Sequence, residues 1–333
     1  MRLYLALEEQ PFAFHVFQAL RRLECVHADR PRFGQSARPQ DDPVRLGQEP
    51  SLNFAGASLA RFEPGDRKRR PRLLGYYFGL MGPNGPLPLH LTEHVYDRAR
   101  NARDTTLSSF LDVFHHRMLS LFYRAWANAS PTVSFDRPRE DRFGVYLGSL
   151  FGLGTASLRD RDAMPDLAKL HFAGRLACQT RHPDGLQAMI AEFFGVTTEI
   201  REFLGEWIEL PESSRCYLGL SRDSGELGRT AVAGAQTWSG QHKIGIVLGP
   251  LAYADFERFL PGGDSLARLV AVVRNYIGDE LSWDLNLVLK RDEVPALSLD
   301  RSGRLGWTTW LGDWSFDRDP DDLSLTPAVR AAG

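Results

Sequence analysis

The sequence has little with which to cross a membrane, hold a polyanion or staple itself together. No apolar run reaches the roughly 18 residues that a membrane span requires, and the opening MRLYLALEEQPF has no apolar core followed by a small-residue cleavage site. Only three cysteines occur, Cys25, Cys178 and Cys216, far apart and with no CxxC pair, which excludes a disulfide framework and suits a reducing compartment. These absences together predict a cytoplasmic protein. Excess charge is missing too: 40 Lys+Arg stand against 42 Asp+Glu, a formal net charge of −2, so no protein-wide field favours nucleic acid. Lysine is scarce, with only Lys68, Lys169, Lys243 and Lys290; the other basic residues are arginine. A GC-rich genome produces that bias, and it also supplies the planar cation that suits protein interfaces.

What is present describes an ordinary globular chain: 333 residues, 43% hydrophobic and 11% aromatic, enough for about two domains with their own cores. A helix is predicted over 11–24, with Pro11 at its first position and Ala13, Val16, Phe17, Leu20 and Leu23 on one face. Residues 29–50, rich in Pro, Gly, Asp and Arg, read as a surface excursion or a partner-binding arm. Extended segments over 52–62 and 73–80 flank an exposed basic hairpin loop, PGDRKRRPR (64–72). The strongest helical pattern begins after Asp104 or Thr105: Leu107, Phe110, Leu111, Phe114, Met118, Leu121, Phe122 and Ala125 trace one stripe, widened by Leu119, Tyr123 and Trp126. That breadth predicts a long buried helix.

Helix-sized segments at 142–150 and 165–178, separated by GLGTAS and RDRD, place the domain boundary. Residues 1–150 form the first domain, with extended arms, and 151–312 the second; 313–333 read as an acidic, flexible tail. The second domain uses a helix–glycine–strand unit twice, as 186–194, Gly195, 196–203 and again as 266–277, Gly278, 281–290. Leu281, Trp283, Leu285, Leu287 and Leu289 alternate with mostly polar residues, as in a strand with one face on a core, and Ile244, Ile246 and Leu248 repeat the pattern. A last hairpin, turning near 300–303, presents Leu305 and Trp307. The fold class is α+β, with mixed helices and small antiparallel sheets.

Each catalytic pattern lacks a part. His90, Glu93 and His94 spell HxxEH, which on a helix sets two imidazoles one turn apart as zinc ligands with a glutamate to activate water. This zinc hydrolase is the alternative function, but PNGPLPL leaves His90 at or before a helix start and no spacing singles out a third ligand. Gly263, Asp264, Ser265 and Leu266 match the GDSL esterase motif, yet the last histidine is His242, upstream, and Asp264 and Ser265 suit a helix N-cap. Gly152 and Gly154 open an incomplete dinucleotide fingerprint without its third glycine. His115 and His116 are adjacent on a helix, point about 100° apart and cannot chelate one ion. Asp112 and His116 form the expected i,i+4 pair, with His115 at the core margin. The basic loop, Arg67 to Arg72, has no interleaved aromatic to stack a base. No enzyme and no cofactor are predicted.

Five runs in order, FGQSARPQDDPVRLGQEPSLNFAGASL, GLMGPNGPLPLHLTEHV, LSSFLDVFHHRMLSLFYRAW, LGPLAYADFERFLPGG and LGWTTWLG, resemble the TssG (ImpH/VasB) family of the type VI secretion system over 12–312. The resemblance implies a baseplate scaffold that joins two copies of TssF into a wedge, docks TssK trimers through extended arms and reaches the membrane complex through TssK. TssE and the VgrG hub are further neighbours, and the machine assembles at the cytoplasmic face of the inner membrane. By residue type, Phe33, Arg45, Phe54 and Arg72, and Trp207, Trp238, Trp307 and Trp310, are candidate interface anchors. Pro83, Asn84, Gly85, Pro86 and Pro88 form a candidate docking loop.

Overall fold

The computed structural model describes residues 2–66, 69–217, 225–296, 303–311 and 317–327. The chain divides into two compact units, 1–144 and 145–333.

The first unit opens on α1 (Arg2–Glu9), which the sequence reading did not anticipate. The helix expected over 11–24 is split: Pro11–Ala13 form a 3-10 turn, and α2 (Val16–Val26) follows. Val16, Ala19, Leu20 and Leu23 recur at helical spacing and are buried together. Three short strands, β1 (Arg45–Gln48), β2 (Leu59–Glu63) and β3 (Arg72–Gly75), form a sheet in the order β1-β3-β2. β1 runs parallel to β3, opposing Leu46 to Leu73, and β2 pairs antiparallel with β3, opposing Phe62 to Leu73. The expected hairpin around the basic loop is present, on strands shorter than 52–62 and 73–80. Then come α3 (Leu89–Asn101), α4 (Thr106–Asn128) and the short α5 (Pro131–Phe135); α6 (Arg142–Ser149) spans the boundary between the units.

Residues 29–50 are not a free arm. Phe33 and Val44 enter the core with Leu7, Leu20, Leu23 and Tyr123, and β1 lies within this stretch. Two arginines fasten it. Arg32 donates to Glu140 Oε2 (2.8 Å) and to the carbonyls of Val133 and Ser134. Arg137 donates to the carbonyls of Glu24 (2.6 Å), His27 (2.9 Å) and Arg30 (2.9 Å), at the C-terminal end of α2 where carbonyls lack helical partners. Beneath them the buried Glu24 carboxylate pairs with Arg124 and accepts from Tyr123 Oη (3.1 Å) and the Phe33 N–H (2.9 Å). Burial, and then the Glu24 charge, push the Tyr123 phenol far above its ordinary pKa.

The second unit contains α7 (Asp166–His171), α8 (Ala173–Ala177), α9 (Pro183–Phe194), β4 (Thr198–Arg201), β5 (Glu206–Glu209), β6 (Gln236–Ser239), β7 (Lys243–Leu251), α10 (Tyr253–Phe259), α11 (Asp264–Ile277), β8 (Ser282–Leu289) and β9 (Leu323–Leu325). Its main sheet has the order β4-β7-β8-β9, and β5 and β6 form a separate two-stranded ribbon. β7 and β8 are parallel, opposing Ile246 to Leu285 and Leu248 to Leu287; β4 and β9 are antiparallel edges. The alternation read in β8 holds, with Trp283, Leu285, Leu287 and Leu289 buried. They pack with Leu269, Val272, Val273 and Tyr276 of α11 and Leu186, Met189 and Ile190 of α9. Both helices stop at the expected glycines, Gly195 and Gly278. The N-cap of α11 is Gly263 rather than Asp264 or Ser265, and Ser265 Oγ is buried with no partner. The α+β class stands, with sheets that mix parallel and antiparallel pairs.

The tail expected to be loose is pinned over 317–327. Leu323–Leu325 extend the main sheet beside β8, and Asn286 Nδ2 donates to the carbonyls of Asp321 (2.7 Å) and Leu323 (3.1 Å). Most of the turn expected near 300–303 lies outside the described residues; Trp307 sits in a turn rather than a strand.

Candidate functional site

Helix α4 organises the first unit, burying Leu119 and Tyr123 of the breadth expected in the core but not the main stripe. The residues it buries are Ser108, His115, His116, Leu119, Ser120, Tyr123, Arg124 and Ala127. Most of these are polar, and they complete hydrogen bonds that the small sheet cannot. Among the described residues β1 is an edge strand whose outer N–H groups have no strand beside them. The Leu46 N–H donates to His116 Nδ1 (3.1 Å) and the Gln48 N–H to Asp112 Oδ1 (3.1 Å). A helix thus stands in for the missing strand.

The same face fixes the loop after β3. The Leu80 N–H donates to His115 Nε2 (3.0 Å), and the buried Gln48 side chain accepts from the Met81 N–H (2.9 Å) and donates to the Met81 carbonyl (2.6 Å). The Gly82 N–H donates to Thr92 Oγ1 of α3 (3.0 Å). These donors settle both tautomers: His115 Nδ1–H donates to Asp112 Oδ1 (3.0 Å), and His116 Nε2–H donates to Asp42 Oδ2 (2.9 Å), which also accepts from Ser36 Oγ (2.8 Å). The expected Asp112–His116 pair is therefore replaced by Asp112–His115 and Asp42–His116, because the carboxylate of the neighbouring loop reaches His116 instead. The sequence reading missed this latch; its signal was polar residues at helical spacing inside an aromatic run.

The fixed loop walls a groove of about 940 Å³. Phe54 and the candidate docking residues Pro83, Asn84, Gly85 and Pro86 line it together, with Phe114 and Met118 of α4 on another side. Phe54 is exposed, and Pro88 is exposed at the N-cap of α3. The turn is closed by the Gly85 N–H to Gly82 carbonyl (3.0 Å) and Leu87 N–H to Leu80 carbonyl (3.1 Å) bonds. A Cβ on Gly85 would come within 2.5 Å of the Leu80 carbonyl oxygen, so no other residue fits this loop unchanged.

Along the outer side of α4 the stripe expected in the core faces solvent. Phe110 is 58% exposed, Phe114 50% and Met118 52%, with Leu107, Leu121 and Phe122 exposed beside them. Phe122 stacks on Phe78 (5.3 Å between centroids) and lies beside Phe17 (5.6 Å). The N-terminus of α4 is held by Asp104, which accepts from the Thr106 hydroxyl (2.6 Å) and N–H (3.0 Å) and pairs with Arg98 (2.6 Å). Those bonds hold its carboxyl down to about 2.

In the second unit the ribbon of β5 and β6 opposes Trp207 to Trp238, 63% and 60% exposed, with ring centroids 5.4 Å apart. The Trp238 indole lies so close to Gly205 that a Cβ there would fall within 1.9 Å of the ring. Glu206 ties the ribbon down: it pairs with Lys243 (3.2 Å), which also meets Asp284 (2.8 Å), and accepts from Ser282 Oγ (2.8 Å). The bonds from Ser282 and then Lys243 lower the Glu206 pKa.

Other expected anchors are structural. Phe33 is fully buried, edge-on to Tyr123. Arg72 pairs with Asp112 (2.7 Å) and Glu63 (3.4 Å), and Arg70 donates to the Asp42 carbonyl (3.0 Å). Arg67 and Lys68 of the basic loop lie outside the described residues. Arg45 is half-buried on β1, and Trp307 and Trp310 pack against the core of the second unit. His90, Glu93 and His94 lie within α3 and are exposed, whereas Thr92 and Val95 face inward. Among the described residues no three His, Cys, Asp or Glu are grouped to hold a metal ion.

Comparison with known proteins places this architecture. No curated protein matches the chain. It is similar to a chain in a solved baseplate complex from the type VI secretion system, at 22% identity and a TM-score of 0.63, covering 95% of this chain and 88% of that one. It is also similar to a chain in a TssK-TssF-TssG baseplate subcomplex, at 22% identity and a TM-score of 0.54, covering 65% and 90%. The family described as type VI secretion, TssG, matches residues 10–312. With its match extending across nearly the whole sequence, the chain belongs to the TssG family.

Proposed function

We propose that this chain is a structural subunit of a type VI secretion baseplate, which joins its neighbours by mutual burial of surface and performs no chemical step. The observation that carries the reading is the outward apolar face of α4, because isolated soluble chains rarely leave so continuous a patch to water. The partners proposed are two copies of TssF and trimers of TssK, with TssE and the VgrG hub as further neighbours. Phe54 with the Pro83 to Pro86 turn, and the Trp207–Trp238 pair, are the proposed contact surfaces in the two units. Rigid aromatics and prolines suit this role because little conformational freedom is lost when they are covered.

No helix among the described residues is long and apolar enough to cross a membrane. In this reading the membrane complex is reached only through TssK, at the cytoplasmic face of the inner membrane, with neither cofactor nor nucleic acid involved. Co-expression of the full chain with TssF and TssK, followed by measurement of the mass of the purified assembly, tests the proposal. A stoichiometric complex, with poor solubility of the chain alone, is expected. A monodisperse monomer that ignores both partners overturns it.

A further inference from the structure

The arginines that fasten the first unit, Arg32, Arg72, Arg124 and Arg137, all meet carboxylates. Arg30 and Arg69 differ: among the described residues their guanidinium groups have neither an ion-pair nor a hydrogen-bond partner. Both line one cleft of about 760 Å³, together with Arg70. The cleft is walled by α1, the end of α2 with the loop after it, and the turn between β2 and β3, and it shares no lining residue with the groove of the docking turn.

Each of the three arginines is anchored. The Arg30 N–H donates to the His27 carbonyl (3.0 Å), and the Arg30 carbonyl accepts from Arg137 Nη1 (2.9 Å). In the turn, the Asp66 N–H donates to the Arg69 carbonyl (2.8 Å) and the Arg69 N–H to Asp66 Oδ1 (2.7 Å). Arg70 Nη1 donates to the Asp42 carbonyl (3.0 Å), which leaves its other side-chain N–H groups without a partner among the described residues. Beside them Tyr4 Oη is hydrogen-bonded to His27 Nε2 (2.5 Å). Burial and then the Arg30 charge lower the His27 pKa, and the same charge opposes the rise that burial imposes on Tyr4, so the Arg30 guanidinium lies near both rings. A half-buried cation without a counter-ion is costly, and guanidinium groups held ready in one cleft suit carboxylates, which they grip with forked hydrogen bonds.

We infer that this cleft binds an acidic peptide segment of another chain, whose carboxylates engage Arg30, Arg69 and Arg70 while a neighbouring apolar side chain rests on Leu5, Pro64 and Pro71. The inference rests on the assembly reading above and adds to it a second surface in the first unit, with the chemistry of what fills it. Charge selects a peptide over nucleic acid. Glu8 and Asp66 stand on the same walls, so the arginines exceed the carboxylates by one, which suits one or two acidic side chains and opposes a continuous run of phosphates. Tyr4 packs on Phe62 (5.2 Å between centroids) and is not free to stack on a base. The acidic stretch of this chain is already engaged: Asp317 pairs with Arg291, Asp319 Oδ1 accepts from the Arg291 N–H (2.8 Å), and the Asp321 carbonyl accepts from Asn286. The carboxylates therefore come from elsewhere. Tyr4, Leu5 and Glu8 precede residues 10–312, so one wall of the cleft lies outside what the family match describes.

The test replaces each arginine by an amine that keeps the charge and can be crosslinked. In the full chain co-expressed with TssF and TssK, Arg30→Lys and Arg69→Lys are treated with a carbodiimide, which joins an amine to a touching carboxylate as an amide. Peptide mass spectrometry should find both substituted positions coupled to Asp or Glu within one segment of another chain. Arg61→Lys is the positive control and should couple to Glu49 of its own chain, which Arg61 meets at 3.0 Å. Arg30→Glu combined with Arg69→Glu should weaken association about tenfold, and the exposed Arg139→Glu less than about twofold. Changing the identified acidic residue to Lys should restore most of what the double variant loses, and circular dichroism checks that variant's fold. If Arg61→Lys couples but Arg30→Lys and Arg69→Lys couple to nothing, to Glu8 or Asp66 of the same chain, or to a second copy of this chain, the inference is overturned and the assembly reading stands. Nucleic acid that copurifies with the complex and is lost in the double variant overturns it equally. Failure of the unsubstituted chain to associate at all counts instead against the assembly reading, and takes this inference with it.

Discussion

Two helices that both carry an apolar stripe, α11 and α4, meet opposite fates. In α11 the stripe Leu269, Val272, Val273 and Tyr276 is buried against the sheet of its own unit. In α4 the richer stripe from Leu107 to Ala125 faces out, and the helix turns its histidines, Tyr123 and Arg124 inward. The difference lies in what each neighbouring sheet requires. β7 and β8 satisfy one another's backbone groups and ask of α11 only apolar cover, whereas β1 ends its sheet with unpaired N–H groups and needs acceptors from α4. A stripe of apolar residues therefore reports that a helix is covered. It does not report by whom.

The largest effect expected is at the buried pair beneath α4. Arg124→Met leaves the Glu24 carboxylate buried without its cation and should cost about 3–5 kcal/mol, measured by urea denaturation. Next is the direct contrast between the two helices. Leu269→Ala opens a cavity in the core and should cost about 2–5 kcal/mol, whereas Phe114→Ala should change stability by less than about 0.5 kcal/mol while impairing assembly. Equal losses of stability for the two would erase the comparison.

A smaller loss, about 1–3 kcal/mol, is expected for His116→Ala, which strands the buried Leu46 N–H and removes one of the donors to the Asp42 carboxylate. Hydrogen exchange should quicken locally at Leu46. The least effect is at the start of α4. The Asp104 carboxyl is depressed in the folded chain, so its stabilisation is present in full above the ordinary aspartate range and fades as the pH falls towards about 2. Asp104→Asn should lower the melting temperature slightly at pH 7 and abolish that part of the acid dependence.

The second unit was the more legible in sequence because its rules are local. Strict alternation located β8, and glycines located the ends of α9 and α11. β9 escaped notice because it is three residues long and finds its partner nearly 40 residues earlier in the chain. In the first unit α4 was plain as a helix but not in its orientation, since periodicity is blind to whether a face meets its own chain or another. β1, only RLGQ, has no alternation to betray it, and half of its pairing comes from helix side chains. Of the candidate interface residues, Phe54 and the Pro83 to Pro86 turn converge on one groove, and Trp207 pairs with Trp238. Phe33 and Arg72 were drawn inward, because an aromatic or an arginine looks the same in sequence whether it anchors a partner or a core.

Methionine oxidation tests the central claim most directly, because the chain itself supplies the controls. Met118 is exposed, whereas Met81, Met164 and Met189 are buried. Brief peroxide treatment followed by peptide mass spectrometry should oxidise Met118 in the free chain and spare the other three. In the complex with TssF and TssK, Met118 should become as resistant as they are. Undiminished oxidation of Met118 in the complex would contradict the account.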